Sequence, residues 1–267
     1  MARGLPAVLL FSACLAGAAA YPERPIRMVV PYSVGGGVDF FARGLSRKLP
    51  DALGQPVIVD NRPGGGANIG AEIVARAAPD GYTVLLGFIG PFAISPHLER
   101  INYNPVRDFA GASLMASSYH VLVVHPSLPV NSVGALVALA KARPRQINYA
   151  SSGSGGNIHL VGELFKSTAG IDLTHIPYKG TGPAAIAILS GEAQLLFSSI
   201  TAVMPYLGSK RLVPLAVTSP ARSPLLPEVP TLVESGLRGV DVGSWYALVA
   251  PAATPRDIVM RLHNEAA

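Results

Sequence analysis

Three turns rich in glycine and serine contain the residue types in this chain that are best suited to binding chemistry. Each turn follows a short apolar run and precedes a segment with helical periodicity. They are Pro31-Tyr32-Ser33-Val34-Gly35-Gly36-Gly37-Val38-Asp39, Asn61-Arg62-Pro63-Gly64-Gly65-Gly66-Ala67-Asn68 and Ala150-Ser151-Ser152-Gly153-Ser154-Gly155-Gly156-Asn157. Glycine lets the backbone come close to a ligand, and serine hydroxyls can donate to a carboxylate. The turns therefore predict a site that binds an anion through N–H and O–H groups.

The position of the turns favours the same chemistry. A turn between a strand and a helix lies at the carboxyl end of the strand, where open α/β sheets bind their ligands. The start of the helix there presents free N–H groups and about half a positive charge. We expect Asp39 and Asn157 to cap the helices that follow them. The alternative is that each turn is an ordinary strand-to-helix connection.

Motifs of the common enzyme classes are absent from the sequence. A dinucleotide fingerprint needs a third glycine, but Ile69 and Ile158 stand where the second and third turns would place it. There is no Gly-Lys-Ser/Thr phosphate loop and no Gly-x-Ser-x-Gly nucleophile elbow. No spacing singles out a nucleophile, so the motifs indicate no catalytic residue.

Metal sites gain no support from the histidines or from the cysteine. No His-Glu-x-x-His pair occurs, and the odd separation of His120 and His125 along a strand points them to opposite faces. The chain has a single cysteine, Cys14, so it can form neither an intrachain disulfide nor a cysteine-based zinc or iron–sulfur site. We therefore expect neither a metal nor a cofactor.

The composition is that of a folded protein with many turns. The chain has 267 residues, of which 49% are hydrophobic and only 14% are charged, and this excludes disorder as the main state. Its 28 glycines and 24 prolines follow no period, which excludes collagen and indicates short loops. The net charge of +5 is not concentrated in a Lys/Arg run, so we expect no nucleic-acid partner.

Short apolar strands alternate with helical segments along the chain. The predicted strands are Ile26–Val30, Val57–Asp60, Thr83–Gly87, Val121–Val124, Ile147–Tyr149, Leu173–Tyr178, Ala193–Phe197 and Leu212–Val217. The predicted helices include Asp39–Leu53, Asn68–Ala77, one that Ser132 caps and that ends near Ala142, and Arg256–Glu265. Such alternation predicts parallel sheets with helices on both faces. Because the strands are too many for one small sheet, we predict two α/β lobes.

The first twenty residues have the order of a secretory signal peptide. One cation, Arg3, precedes an uncharged apolar run, and the small residues Ala18, Ala19 and Ala20 end the segment. We therefore predict export to the periplasm with cleavage near Ala20. The alternative is a lipoprotein anchored through Cys14, because Phe11-Ser12-Ala13-Cys14 loosely matches a lipobox.

A series of motifs from Tyr21 to the end of the chain resembles the Bug family, the extracytoplasmic substrate-binding proteins of tripartite tricarboxylate transporters. The order and the spacing of these motifs both hold. They include Tyr21-Pro22-Glu23-Arg24-Pro25-Ile26-Arg27, Asp60-Asn61-Arg62-Pro63-Gly64, Ala78-Pro79-Asp80-Gly81-Tyr82-Thr83, Val124-His125-Pro126-Ser127, Pro177-Tyr178-Lys179-Gly180 and Leu215-Ala216-Val217-Thr218-Ser219.

The resemblance implies a two-lobed, type II periplasmic binding-protein fold with a ligand cleft between the lobes. Lobe 1 would comprise residues 21–120 and 246–267, and lobe 2 residues 121–245. Such proteins capture a small di- or tricarboxylate or an aromatic acid, and they deliver it to the membrane components of the transporter. The resemblance implies no catalysis, and we expect the protein to be a monomer.

The resemblance also indicates which residues would bind the ligand. These positions lie in the first turn, in the serine-rich turn, in the Tyr-Lys-Gly turn and after Phe197. They are Tyr32, Gly35, Gly36, Asp39, Ser151, Ser152, Gly153, Ser154, Lys179, Gly180 and Ser198.

Two departures from the family pattern bear on the ligand. Phe88-Ile89-Gly90 stands where small hydroxyl or amide residues often face the cleft, which predicts a more apolar wall. Ser198 stands where the family often has an aspartate that can pair with an amino group. We therefore expect a ligand without an ammonium group.

A third departure is the end of the chain, because relatives usually continue beyond it and complete the first lobe. From this we expect an exposed apolar strip on lobe 1, reduced stability and an incomplete lobe. Two other functions stay open at this point. The chain could be a non-functional remnant or a ligand-free interaction protein, or it could be an α/β hydrolase or transferase.

Overall fold

The computed structural model describes residues 21–267, so the predicted signal peptide and Cys14 lie outside the described residues. Nine strands alternate with eight helices in this part of the chain. The strands are β1 Ile26–Val30, β2 Val57–Asn61, β3 Thr83–Phe88, β4 Phe109–Val124, β5 Asn148–Ser151, β6 Thr174–Pro177, β7 Leu195–Ser199, β8 Val213–Val217 and β9 Gly243–Pro251. The helices are α1 Gly37–Leu53, α2 Asn68–Ala75, α3 Ser95–Leu98, α4 Val133–Ala142, α5 Asn157–Ala169, α6 Thr181–Leu189, α7 Ile200–Leu207 and α8 Arg256–Ala266.

Two groups of parallel strands form the halves of the fold. In the first half β1 lies between β2 and β3, and all three run parallel. In the second half β5 lies between β6 and β7, again parallel. The complete strand order is β2-β1-β3-β9-β4-β7-β5-β6, with β8 paired to β4. Each half has its own apolar core, one around Met28 and Leu86 and the other around Tyr149 and Phe165. This is the predicted two-lobed α/β architecture of a type II periplasmic binding protein.

One long strand, β4, connects the two halves. Its residues Phe109–Tyr119 pair antiparallel with β9, and its residues His120–Val124 pair antiparallel with β7. The sequence predicted only Val121–Val124 here, because the earlier part of β4 contains small and polar residues such as Gly111 and Ser113 that look like a loop. Strand β9 was missed for a similar reason, since it begins with Gly243 and Ser244.

The remaining predicted elements agree with the structure to within two residues at each end. Ser132 caps α4 as predicted, since its Oγ accepts a hydrogen bond from the backbone N–H of Ala135 at 3.2 Å. Exposed apolar side chains occur in the first half at Ile58, Leu114 and Met260, while a continuous apolar strip stays a prediction. No helix within residues 21–267 has the length and apolar character to cross a membrane.

Candidate functional site

Three helices begin at one small cavity between the two halves, which we call the central cavity. Gly37 and Val38 begin α1, Asn157 and Ile158 begin α5, and Thr181 begins α6. The remaining lining residues come from strands and loops of both halves. They are Tyr32, Phe88, His120, Ser152, Ser199, Ser244 and Tyr246. The cavity has a volume of about 30 Å³, which is about the volume of one water molecule in the liquid.

A glycine occupies the N-cap position of each of the three helices. These residues are Gly36, Gly156 and Gly180, and no side chain caps the helix at any of them. The prediction that Asp39 and Asn157 are N-caps is therefore wrong. Both lie inside the first turn, where helical backbone angles prevent an N-cap contact. Within residues 21–267 the first N–H groups of α1, α5 and α6 thus have no side chain as acceptor, and the positive ends of three helix dipoles meet at the central cavity.

Asp39 stabilises the first glycine turn from within. Its Oδ2 accepts from the Gly35 N–H at 3.1 Å and from Arg43 Nε at 3.0 Å, and its Oδ1 accepts from Asn61 Nδ2 at 3.0 Å. Burial raises the pKa of the carboxyl, but the hydrogen bonds from Arg43, Gly35 and Asn61 outweigh it and hold the pKa below its usual range. Gly35 and Asp39 line a different cavity, together with Arg43. Gly35 and Asp39 therefore do not line the central cavity.

The serine-rich turn divides its hydroxyl groups between two roles. Ser151 Oγ lies 2.6 Å from His175 Nε2 and accepts from the Gly153 N–H at 3.1 Å, so it holds the turn in shape. Ser152 is 2% exposed and lines the central cavity. Its Oγ donates to the Tyr32 hydroxyl oxygen at 3.4 Å. Of the predicted residues in this turn, Ser152 is the one whose side chain reaches the centre.

Behind the turn, two stacked histidines support its backbone. The rings of His159 and His175 lie 4.1 Å apart, and His159 Nδ1 accepts from the Gly155 N–H at 3.2 Å. Burial lowers the pKa of His175 to about 4 and lowers that of His159 as well. Both rings are therefore neutral near pH 7, and His159 can act as an acceptor for the turn.

A second cavity, whose lining includes Glu99 and Lys179, shares Tyr32 and Ser152 with the central cavity, and we call it the outer cavity. Its volume is about 290 Å³. The second and third glycine turns meet here, where Gly66 approaches so closely that an added Cβ would lie 2.8 Å from the Ser154 carbonyl oxygen. The lining residues are Tyr32, Gly64, Gly65, Gly66, Ala67, Glu99, Ser152, Gly153, Ser154, Pro177, Tyr178 and Lys179. The predicted residues Gly153, Ser154 and Lys179 thus belong to the outer cavity.

A third, largely apolar cavity adjoins the central one through Gly37, Ser199 and Tyr246. Its volume is about 630 Å³, within the usual range for pockets that bind small molecules. Besides those three residues it is lined by Phe40, Phe41, Ala116, Ser117, Ser118, Tyr119, Ile200, Thr201, Ser219, Pro220, Ala221, Arg222, Ser223, Pro224 and Leu225. We call it the apolar cavity.

Two further predicted residues have clear positions. Gly180 lies at the start of α6, where an added Cβ would be 3.0 Å from the Ser33 backbone nitrogen, so the halves approach closely here. Ser198 is fully buried on β7 with no partner for its Oγ among the described residues, and it lines none of the three cavities. Its neighbour Ser199 lines the central cavity instead, because successive strand residues point to opposite faces.

Sequence reasoning missed several residues of the central cavity. Ser199 and Thr181 lie directly beside the predicted residues Ser198 and Gly180, which could have indicated them, whereas Ser244 and Tyr246 adjoin no predicted site residue. His120 was considered only as a metal ligand. Its position directly before the apolar run of Val121–Val124 placed it at the end of a buried strand, and that signal could have indicated a cavity.

Comparison with known proteins identifies the family. Residues 41–267 match the model of the tripartite tricarboxylate transporter family receptor, TctC. The BugT protein of Bordetella pertussis is 39% identical over 91% of this chain and 76% of its own length.

Two solved structures are similar throughout. Rpa4515 of R. palustris with adipate has a TM-score of 0.89 and 36% identity, covering 92% of this chain and 83% of its own. MatC from Rhodopseudomonas palustris with bound malate has a TM-score of 0.89 and 30% identity, covering 92% and 84%. The chain therefore belongs to the TctC receptor family of tripartite tricarboxylate transporters, which are periplasmic solute-binding proteins of the Bug type.

Proposed function

We propose that this protein captures a small carboxylate without an ammonium group and carries it to the membrane components of a tripartite tricarboxylate-type transporter. One observation carries the proposal, namely the convergence of the uncapped starts of α1, α5 and α6 on the central cavity. Free N–H groups and helix dipoles at this point favour a negative charge. The similar structures with adipate and with malate support a carboxylate as the solute.

The lining of the central cavity supports the absence of an ammonium group on the solute. In the part of the chain that the structure describes, none of the residues lining this cavity is Asp, Glu, Lys or Arg. A buried ammonium group would lack the anionic partner that it needs. Hydroxyl groups and backbone N–H groups suit a carboxylate instead, because they donate hydrogen bonds to it.

Capture of the solute requires the two lobes to move. The central cavity is far smaller than a dicarboxylate, and its walls belong to both halves. We infer that the lobes, residues 21–120 with 246–267 and residues 121–245, open and close about β4 and the start of β9. Closure would bring Gly37 of α1 against Ser199 of β7, as in the present arrangement.

Export and assembly complete the proposal. Residues 1–20 would direct the chain to the periplasm, where it would act as a monomer. The transporter's membrane components would then take up the solute from the closed protein.

A thermal-shift panel on residues 21–267 tests the proposal. Adipate, malate, succinate and benzoate are compared with aspartate, glutamate and putrescine. A solute that binds only the folded protein stabilises it by about 2.7 kcal/mol at a hundredfold excess over Kd. For a chain of this size that is a rise in Tm of about 5–11 °C, at about 2–4 °C per kcal/mol.

At least one plain carboxylate is expected to give this rise, while putrescine gives none. Absence of a shift with every carboxylate would refute the proposed function. A larger shift with aspartate or glutamate than with succinate would refute the preference against an ammonium group.

A further inference from the structure

His120 lies where the two halves of the fold meet. It is the residue at which β4 changes partner, from β9 at Tyr119 to β7, where His120 pairs with Ser199. Thr218 fixes its backbone, since Thr218 Oγ1 accepts from the His120 N–H at 2.9 Å and the Thr218 N–H donates to the His120 carbonyl at 2.8 Å. The side chain is only 3% exposed and lines the central cavity.

The hydrogen bonds of this imidazole are incomplete. His120 Nε2 lies 2.8 Å from Asn157 Nδ2, which donates to it. His120 Nδ1 and Asn157 Oδ1 have no partner among the described residues, and the same holds for Oγ of Ser199, which pairs with His120 on the neighbouring strand. If the Asn157 amide is turned over, Nε2–H donates to Oδ1, and one ring nitrogen and one amide nitrogen again lack partners. Buried polar groups without partners are rare in proteins, and these border a cavity that could supply one.

His120 is also the one residue lining the central cavity that can change its charge between pH 4 and pH 9. Burial lowers the pKa of its imidazole to about 4. Burial raises the pKa of Tyr32 to about 12 and raises that of Tyr246 too, so both phenols stay protonated. The groups in contact with His120 or paired with it are the neutral Asn157 of α5, Thr218 after β8 and Ser199 of β7. Ser244 and Tyr246 of β9, also neutral, line the same cavity.

We propose that His120 binds a carboxylate oxygen of the solute directly and takes up a proton when the solute enters the central cavity. This inference rests on the carboxylate-binding function proposed above. A carboxylate beside the ring favours the imidazolium form. With the Asn157 amide turned over, the added proton lies on Nε2 and is accepted by Asn157 Oδ1. The ring N–H at Nδ1 and the Ser199 hydroxyl then both donate to the solute.

Proton uptake gives the affinity a characteristic dependence on pH. Because the complex holds one more proton than its separate parts, affinity rises as the pH falls, by up to about tenfold per pH unit. Protonation of His159 would have the opposite effect, since it would remove the acceptor of the Gly155 N–H and disturb the serine-rich turn. The sign of the dependence therefore distinguishes His120 from the histidines behind that turn.

Calorimetric titration of residues 21–267 with adipate tests the inference. Titrations at pH 6, 7 and 8, each in two buffers of different ionisation enthalpy, measure the protons taken up per adipate bound. We expect uptake that approaches one proton at pH 6, and tighter binding at pH 6 than at pH 8. Adipate binding with no proton uptake across this range would overturn the inference and leave the proposed function standing. No binding of adipate, malate or succinate would overturn both.

Two variants assign the proton to its residue. His120→Asn keeps a side chain that can donate but cannot titrate, so we expect weaker binding with no proton uptake. His97→Asn changes an exposed histidine on α3 and is expected to behave as the wild type. Proton uptake that persists in His120→Asn would overturn the inference.

Nuclear magnetic resonance gives a readout that does not depend on the fold of any variant. In wild-type protein labelled with ¹⁵N-histidine, adipate at pH 7 is expected to convert one buried ring from the neutral to the imidazolium form. Binding of adipate without such a conversion would also overturn the inference.

Discussion

At the scale of single residues, glycine determines how closely the two halves can approach. An added Cβ at Gly37 would lie 2.6 Å from Ser199 Oγ and 3.1 Å from the Tyr246 hydroxyl oxygen. These contacts form the wall between the central and the apolar cavities. Gly37 is therefore required for closure rather than for the conformation of α1.

Gly37→Ala is accordingly expected to weaken adipate binding. The methyl group holds Ser199 and Tyr246 away, so the closed arrangement costs free energy, and we expect at least a tenfold loss of affinity, about 1.4 kcal/mol. Gly44→Ala is the matched control, because it lies in the same helix with nothing within 4 Å of the added Cβ. It should stabilise the fold by about 0.5–1 kcal/mol and bind as the wild type. Equal affinity of Gly37→Ala and Gly44→Ala, by calorimetry, would contradict this explanation.

Residue types indicated segments that border the central cavity but not the orientation of each side chain. Gly36, Ser152 and Gly180 could be predicted because glycine and serine at strand ends have a direct physical use. Asp39 looked like a cap or a ligand contact, and only the packing showed its partners Arg43 and Asn61. Which of Ser198 and Ser199 faces the cavity depends on the register of β7, and the sequence alone does not specify that register.

At the scale of elements, the site is a property of three helix starts. Each of α1, α5 and α6 follows a turn whose last residue is a glycine in the N-cap position. A glycine has no side chain to cap the helix, so the first N–H groups of each helix remain available to a ligand. The turn before α1 keeps its shape because the buried Asp39 carboxylate binds Gly35, Arg43 and Asn61. Loss of that carboxylate should disturb the turn without removing any group that lines the central cavity.

Asp39→Ala is therefore expected to lower stability. It leaves the Gly35 N–H without its acceptor and removes one of the two acceptors of Asn61 Nδ2, which keeps the Tyr32 carbonyl oxygen. This costs about 1–3 kcal/mol and should lower Tm by several degrees. Asp51→Ala, an exposed position in the same helix, is expected to stay within about 0.5 kcal/mol of the wild type. Chemical denaturation of both variants checks this, and equal stability of the two would show that Asp39 does not support the turn.

The alternation of strands and helices was readable from the sequence because apolar runs of four to six residues are distinct. Strand β4 was not readable, since it crosses between the halves and small and polar residues occupy much of its first part. Strand β9 was not readable because it begins with Gly243 and Ser244. The strands β4 and β9 pair with each other. This contact joins residues far apart in the sequence, so no local sequence pattern predicts it. The position of His120 beside the central cavity was not predicted for the same reason, because its environment forms where β4 changes its pairing partner from β9 to β7.

At the scale of the whole molecule, three cavities lie side by side along the contact between the halves. Tyr32 and Ser152 separate the outer cavity from the central one, and Gly37, Ser199 and Tyr246 separate the central one from the apolar one. The arrangement places polar backbone groups at one end and aromatic surface at the other. A solute with a carboxylate group at one end and a hydrocarbon chain matches this change from polar to aromatic surroundings. The opening of the lobes would join the three cavities.

A crystal structure of residues 21–267 grown with adipate would show whether the starts of α1, α5 and α6 bind the carboxylate. We predict adipate between the lobes, with the oxygens of one carboxylate about 3 Å from backbone nitrogens at the starts of at least two of α1, α5 and α6. Adipate bound only in the apolar cavity, with no backbone nitrogen of these helix starts near either carboxylate, would contradict the account.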